Sequence, residues 1–151
     1  MLYLFILLIG VIIDQLSKMC AQQYLYNAPS VDVIKGVLRL TYAQNTGASF
    51  SLFNEHTDFL IVFSAVSVIF LLYFLIRLHK KNHCFLLDLS LLLVISGAIG
   101  NLIDRIRLGY VIDFFEFTFI KFAVFNVADT LITAGCVLFC ACVLFDKRVR
   151  L

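Results

Sequence analysis

At 151 residues the chain is long enough for one domain. It is 62% hydrophobic and only 15% charged, against about 45–50% and about 25% in soluble domains, so part of its solvent must be lipid. A formal net charge of +2, with no basic tract interleaved with exposed aromatics, argues against a nucleic-acid partner.

A bilayer core of about 30 Å needs roughly 20 helical residues, and four segments meet that need. The expected fold is therefore an all-α membrane protein, one integral-membrane domain over residues 1–151 with four transmembrane helices. The first span covers residues 1 to about 21 and carries Asp14 and Lys18 in its far end. It lacks the Lys/Arg-rich start and the small-residue cleavage site of a removable signal, so it reads as a retained helix. Asp14 and Lys18 are spaced i,i+4 in the favourable order, which reads as a structural pair pinning this helix to its neighbours.

The connection at residues 23–58 contains the only proline, Pro29. Apolar and polar residues alternate from Val31 to Tyr42, with Lys35-Gly36 near the middle, which predicts a short β-hairpin. The second span, residues 59–76, has no charge, and the basic stretch from Arg77 to His83 follows it.

The third span covers residues 85–103, with Asp88 near its start. Its end brings Gly97, Asn101 and Asp104 onto one narrow face at i, i+4 and i+7. Small residues let membrane helices approach closely, and polar ones then bond across the contact. Arg105 and Arg107 offer Asp104 local charge compensation, so its expected role is structural. The next connection, about residues 104–121, includes a β-prone aromatic stretch at 109–117. The fourth span, about residues 122–145, carries Asn126 and Asp129 on one face of its opening turns, and Asp146-Lys147-Arg148-Val149-Arg150 follows. Short basic clusters at helix ends mark the cytoplasmic face. That puts both termini inside and the connections at 23–58 and 104–121 outside.

Ionisable groups within membrane spans are costly, so each calls for a partner or a purpose. Asp113 and Asp129 have no basic residue within a helical turn, and the topology puts both on the outer side. Two carboxylates held together share a proton, and their apparent pKa values split. That state suits aspartic proteolysis, in which one carboxylate activates water while the protonated one polarises the carbonyl. The residues alone leave two other readings open: acids merely wetted by lipid headgroups, or a proton or cation path in a small transporter. The crowding of polar groups at one end of the spans counts against a path. The five cysteines include no CxxC, and Cys136 and Cys140 read as small hydrophobes. His79 and His83 read as solvated loop residues without a carboxylate nearby, so no metal is expected.

At these residues the sequence resembles the bacterial lipoprotein signal peptidases, the type II signal peptidases. The resemblance runs through Asp14-Gln15-Leu16-Ser17-Lys18, then Asn45-Thr46-Gly47-Ala48-Ser49-Phe50, then Gly100-Asn101-Leu102-Ile103-Asp104-Arg105. It continues through Gly109-Tyr110-Val111-Ile112-Asp113-Phe114 and Phe125-Asn126-Val127-Ala128-Asp129. Five motifs in this order on a four-span chain are highly specific together. The resemblance implies an aspartyl endopeptidase of the bacterial cytoplasmic (inner) membrane. Such an enzyme cleaves diacylglyceryl-modified prolipoproteins just before the lipidated cysteine. It implies Asp113 and Asp129 as the catalytic pair and Asn45, Asn101, Arg105 and Asn126 as substrate-binding residues. Asp14, Lys18, Asp104 and Gly100 are expected to be supporting. It also implies a small outer β-cradle. No cofactor is expected, membrane lipids are the expected surroundings, and a monomer is the expected working state.

Overall fold

The computed structural model describes residues 1–47, 57–146 and 149. The motif residues Ala48, Ser49 and Phe50, and the basic residues Lys147, Arg148 and Arg150, lie outside them. In chain order the elements are α1 (Leu2–Leu25), β1 (Val31–Ile34), β2 (Leu38–Asn45), α2 (Thr57–Asn82), α3 (Phe85–Leu108), β3 (Val111–Phe117) and α4 (Val127–Phe145). All four helices are long and apolar enough to cross a membrane. With the small antiparallel sheet they give the expected membrane architecture.

The bundle is organised around α3, which packs against each of the other three helices. Its Leu87, Leu91, Leu92 and Ile95 form the centre of the apolar core with Val68, Leu75 and Leu78 of α2. The small face expected on α3 sets how close its neighbours come. A Cβ on Gly97 would collide with the Ala128 carbonyl of α4, and one on Gly100 would overlap the Asp14 carboxylate of α1. Close contact of this kind replaces the missing hydrophobic drive between helices in lipid. The outward faces are apolar instead: Val62, Phe63, Ile69 and Phe70 of α2 are each 60% exposed or more. Such a surface suits hydrocarbon and not water.

The sheet has the order β1-β2-β3, and both pairs are antiparallel. The β1–β2 hairpin forms where alternation predicts it, and Gly36 takes the positive φ of 76° that its turn requires. The sheet lies across one end of the bundle. Ile112 and Phe114 of β3 pack there with Ala21 and Leu25 of α1.

Three local features depart from the sequence reading. Residues 122–126 precede α4, which begins at Val127. Phe125 pairs with Phe115 through backbone bonds in both directions, at 2.8 and 2.9 Å. Its ring also packs with those of Phe115, Phe117 and Phe122, so the chain stays extended until the cap at Asn126. Second, α2 continues through the basic stretch to Asn82, leaving two residues before α3. His83 makes the reversal with a φ of 48°. Third, His79 is therefore a helical residue and it does meet a carboxylate: its Nδ1 lies 2.7 Å from Asp88 Oδ2.

Candidate active site

Where the sheet meets the bundle, five of the six residues expected to act on substrate converge on one hydrogen-bonded group. Asn126 organises it. As the N-cap of α4 it accepts the Asp129 amide on Oδ1 at 2.9 Å, and Asp129 Oδ2 accepts the Asn126 amide at 3.2 Å. This reciprocal capping box fixes the first turn. The Asn126 Nδ2 then reaches across to β3 and donates to Asp113 Oδ1 at 2.6 Å. One side chain thus bridges the two carboxylates.

The remaining carboxylate oxygens are also held. Asn45, at the end of β2, donates from Nδ2 to Asp113 Oδ2 at 3.0 Å. Asn101, on α3, donates from Nδ2 to Asp129 Oδ1 at 2.9 Å. Asp113 is only 2% exposed. Burial pushes its carboxyl up to about 7, and the negative charge of Asp129 pushes the same way. The Asn45 and Asn126 bonds and the Lys18 charge work against that rise without cancelling it. A buried carboxyl that stays protonated near neutrality, beside a second carboxylate, is the arrangement general acid–base chemistry uses.

The sixth residue, Arg105, lines the same cleft, and its Nη2 donates to the Gly47 carbonyl at 3.0 Å. Its Nε is buried without a hydrogen-bond partner among the described residues. That cleft has a volume of about 920 Å³. Its polar end holds Asn45, Asn101, Arg105, Asp113 and Asp129, while Phe59, Leu60 and Phe63 of α2 and Ile132 of α4 form apolar walls. An apolar hollow with a few convergent polar groups suits a ligand that is mostly hydrocarbon.

The supporting residues stand directly behind. Lys18, 2% exposed, lies 3.0 Å from Asp14 Oδ2 and 3.0 Å from Asp104 Oδ2. The Asp14–Lys18 pair is therefore real but shared. Asp104 makes its direct ion pair with Lys18 on α1, while its sequence neighbour Arg105 attracts it at longer range. Arg105 turns toward Gly47, and Arg107 Nη1 donates to Gln15 Oε1 at 3.4 Å. Gln15 is the residue the sequence reading left without a role. Its Nε2 bonds Asp14, Asp104 and the Gly100 carbonyl at 3.0–3.2 Å. A polar amide inside an apolar span, next to Asp14, was the available signal. Among the described residues no group of three or more His, Cys, Asp or Glu is placed to hold a metal ion.

Comparison with known proteins gives a consistent result. The family model described as signal peptidase (SPase) II matches residues 6–145. The chain is 41% identical over 145 residues to a lipoprotein signal peptidase of Clostridioides difficile, covering 96% of each chain. It is 42% identical over 140 residues to one of Caldanaerobacter subterraneus, covering 93% of this chain and 94% of the relative. Among solved structures, a bacterial membrane enzyme determined by the in meso method at 2.3 Å resolution superposes with a TM-score of 0.88. That match has 28% identity and covers 96% of this chain and 88% of the other. A full-length match at this identity, on a four-helix membrane architecture with a paired-aspartate cleft, is decisive: the chain belongs to the signal peptidase II family.

Proposed function

We propose that this membrane peptidase removes signal peptides from diacylglyceryl-modified prolipoproteins, cutting just before the lipidated cysteine, with Asp113 and Asp129 as its catalytic pair. The observation that carries the reading is the single Asn126 side chain capping Asp129 while bonded to Asp113 at 2.6 Å. It ties two carboxylates from different elements into one unit at the polar end of an apolar cleft.

In this reading Asp129 is the ionised member and accepts a proton from a water molecule as its oxygen attacks the scissile carbonyl carbon. Asp113 gives its proton to the carbonyl oxygen, which produces a tetrahedral diol. Collapse breaks the C–N bond, the leaving amine takes the proton held by Asp129, and a diol hydroxyl returns one to Asp113. Each carboxyl ends as it began. Arg105 and Asn45 hold the peptide backbone beside the pair, Asn101 borders the scissile bond, and Asn126, fully buried behind the cleft, fixes the two carboxylates.

The apolar walls contributed by α2 and α4 favour a substrate that keeps its acyl chains in the bilayer. Extraction would forfeit about 0.8 kcal/mol for each buried CH₂. We place the enzyme in the bacterial cytoplasmic membrane as a monomer, with both termini inside and the sheet toward the outer leaflet. The support is the basic run Arg77, Lys80 and Lys81 at the bundle end remote from the sheet.

The test is incubation of purified protein in detergent with a diacylated prolipoprotein, with Asp113→Asn and Asp129→Asn beside wild type. Wild type releases the signal peptide and neither variant does while both remain folded. Turnover near wild type by either variant would remove the assignment.

A further inference from the structure

The two aspartates of the proposed pair sit on separate elements, β3 and α4, yet the residues just before them are tied to one ionic group. Ile112, immediately before Asp113, donates its amide to Asp104 Oδ2 at 3.2 Å. Ala128, immediately before Asp129, donates its amide to Asp14 Oδ1 at 2.9 Å. Lys18 joins these two carboxylates at 3.0 Å each, and Gln15 Nε2 bonds both from the other direction.

A third contact leads to the site directly. Lys18 Nζ donates to Asn101 Oδ1 at 2.9 Å, which brings the three hydrogens of the ammonium to three acceptors. An asparagine amide has nearly the same shape in either of its two flipped orientations, so its hydrogen bonds decide which is occupied. A cationic donor on Oδ1 leaves Nδ2 to face Asp129 Oδ1, where it is found. Asn126 Nδ2 also approaches Asn101 Oδ1, at 3.2 Å, but it has two hydrogens for three acceptors. Its 2.6 Å bond to Asp113 takes one of them. Lys18 is therefore the main lock on Asn101.

We propose that Asp14, Lys18 and Asp104 form a positioning clamp that sets the separation of Asp113 and Asp129 by gripping the amides of Ile112 and Ala128 and orienting Asn101. The proposal rests on the catalytic reading of that pair given above. A cluster that only pinned α1 to the bundle would have no need to place carboxylate oxygens on those two amides. Replacing a whole buried ion cluster by apolar residues of similar volume is often neutral, so stability alone does not call for one here, although removing a single partner is costly. The missing Cβ of Gly100 serves the same end, since it lets the Asp14 carboxylate lie flush against α3.

The experiment compares Asp14→Leu, Asp14→Asn and Lys18→Gln with wild type, Asp113→Asn and Asp129→Asn. Initial rates on a diacylated prolipoprotein in detergent give kcat and KM, and thermal unfolding of each variant is followed in parallel. Misplacing a reacting group by about 1 Å costs on the order of 100-fold. Asp14→Leu and Lys18→Gln should therefore lose about that much kcat with KM within about twofold of wild type. Asp14→Asn keeps an oxygen for the Ala128 amide and should recover kcat to within about tenfold. The clamp is overturned if the folded Leu and Gln variants keep wild-type kcat, if their loss lies in KM alone, or if Asn is as damaging as Leu. If Asp14→Leu fails to fold, the kcat–KM split of Lys18→Gln decides by the same criteria. Cleavage by either aspartate variant at the wild-type rate would instead remove the catalytic pair, and the clamp with it.

Discussion

Two buried polar clusters occupy opposite ends of α3, about 24 Å apart at the rise of a regular helix, and they are built to different ends. At the far end Asp88 accepts the Tyr3 hydroxyl and meets His79 Nδ1, each at 2.7 Å and both on Oδ2. Its Oδ1 is buried with no hydrogen-bond partner among the described residues. This cluster joins the ends of α1, α2 and α3 and borders neither described cavity. At the sheet end the carboxylates of Asp113 and Asp129 each have both oxygens bonded, and the four donors come from β2, α3 and the N-cap of α4. A cleft opens beside them. Burial of an acid therefore does not mark chemistry by itself. What separates the two ends is convergence of donors on a space that a ligand can enter.

The comparison breaks most sharply at the aspartates. Asp113→Asn and Asp129→Asn should each lower kcat by about 10⁴-fold or more, as loss of a catalytic member does in hydrolases, with thermal unfolding little changed. Asp88→Asn keeps an oxygen for Tyr3 and His79 and should leave kcat within about twofold, because the far end makes no transition-state contact. An Asp88→Asn variant as inactive as Asp113→Asn would erase the distinction.

Removing the bridging amides should have the next largest effect. Asn101→Ala and Asn126→Ala each take a donor from a reacting carboxylate and should cost about 10²–10³-fold in kcat, the range for removal of one preorganised donor. Asn126→Ala also deletes the N-cap of α4 and should lower stability by about 1 kcal/mol. Asn126→Ser restores the cap but cannot span to Asp113, so it should recover thermal stability while leaving activity low. Measuring both quantities on the same preparations separates the two roles.

The pH profile sharpens the contrast further. Burial favours the neutral form of Asp113 and holds its carboxyl up to about 7. Below that value the pair retains its shared proton. Above it the proton leaves, nothing polarises the carbonyl, and kcat/KM should fall about tenfold per pH unit. The alkaline limb should therefore have an apparent pKa near 7, a property of the pair taken together. A flat profile through pH 9 would contradict the proton-sharing mechanism.

Most of the fold was readable because lipid imposes a length and polarity code, and the hairpin because a half-buried strand alternates. The start of α4 was not readable. Phe122 and Phe125 suit a membrane helix and an aromatic sheet edge equally well, and only the pairing of Phe115 with Phe125 decides. Arg105 does attract Asp104 as its place in the sequence suggests, but the direct partner differs for a geometric reason. Adjacent residues on a helix point about 100° apart, so Arg105 does not share its face, and Lys18 arrives from another helix. His79 was misassigned because a basic run at a helix end looks the same as a basic loop, and its bond to Asp88 joins two helices. Asp113 and Asp129 were legible as acids without sequence-local counter-charges. Asn126 as the bridge between them was not, since its reach to β3 depends on where the cap forms.

The smallest effect is expected from Tyr3→Phe, and it tests whether the far end is as passive as its geometry implies. The substitution deletes one hydrogen bond to Asp88 Oδ2. The ring itself remains, packed edge-on to His79 with centroids 5.4 Å apart, so little packing is lost. His79 still reaches the same oxygen, and its side chain is 42% exposed, so water can help solvate the group. The expected cost is about 1 kcal/mol, read as a modest drop in the unfolding midpoint, with kcat and KM at wild-type values. Were kcat to fall as it does in Asn101→Ala, the ends of α3 would be coupled through the helix. The far cluster would then belong to the catalytic machinery despite having no contact with it.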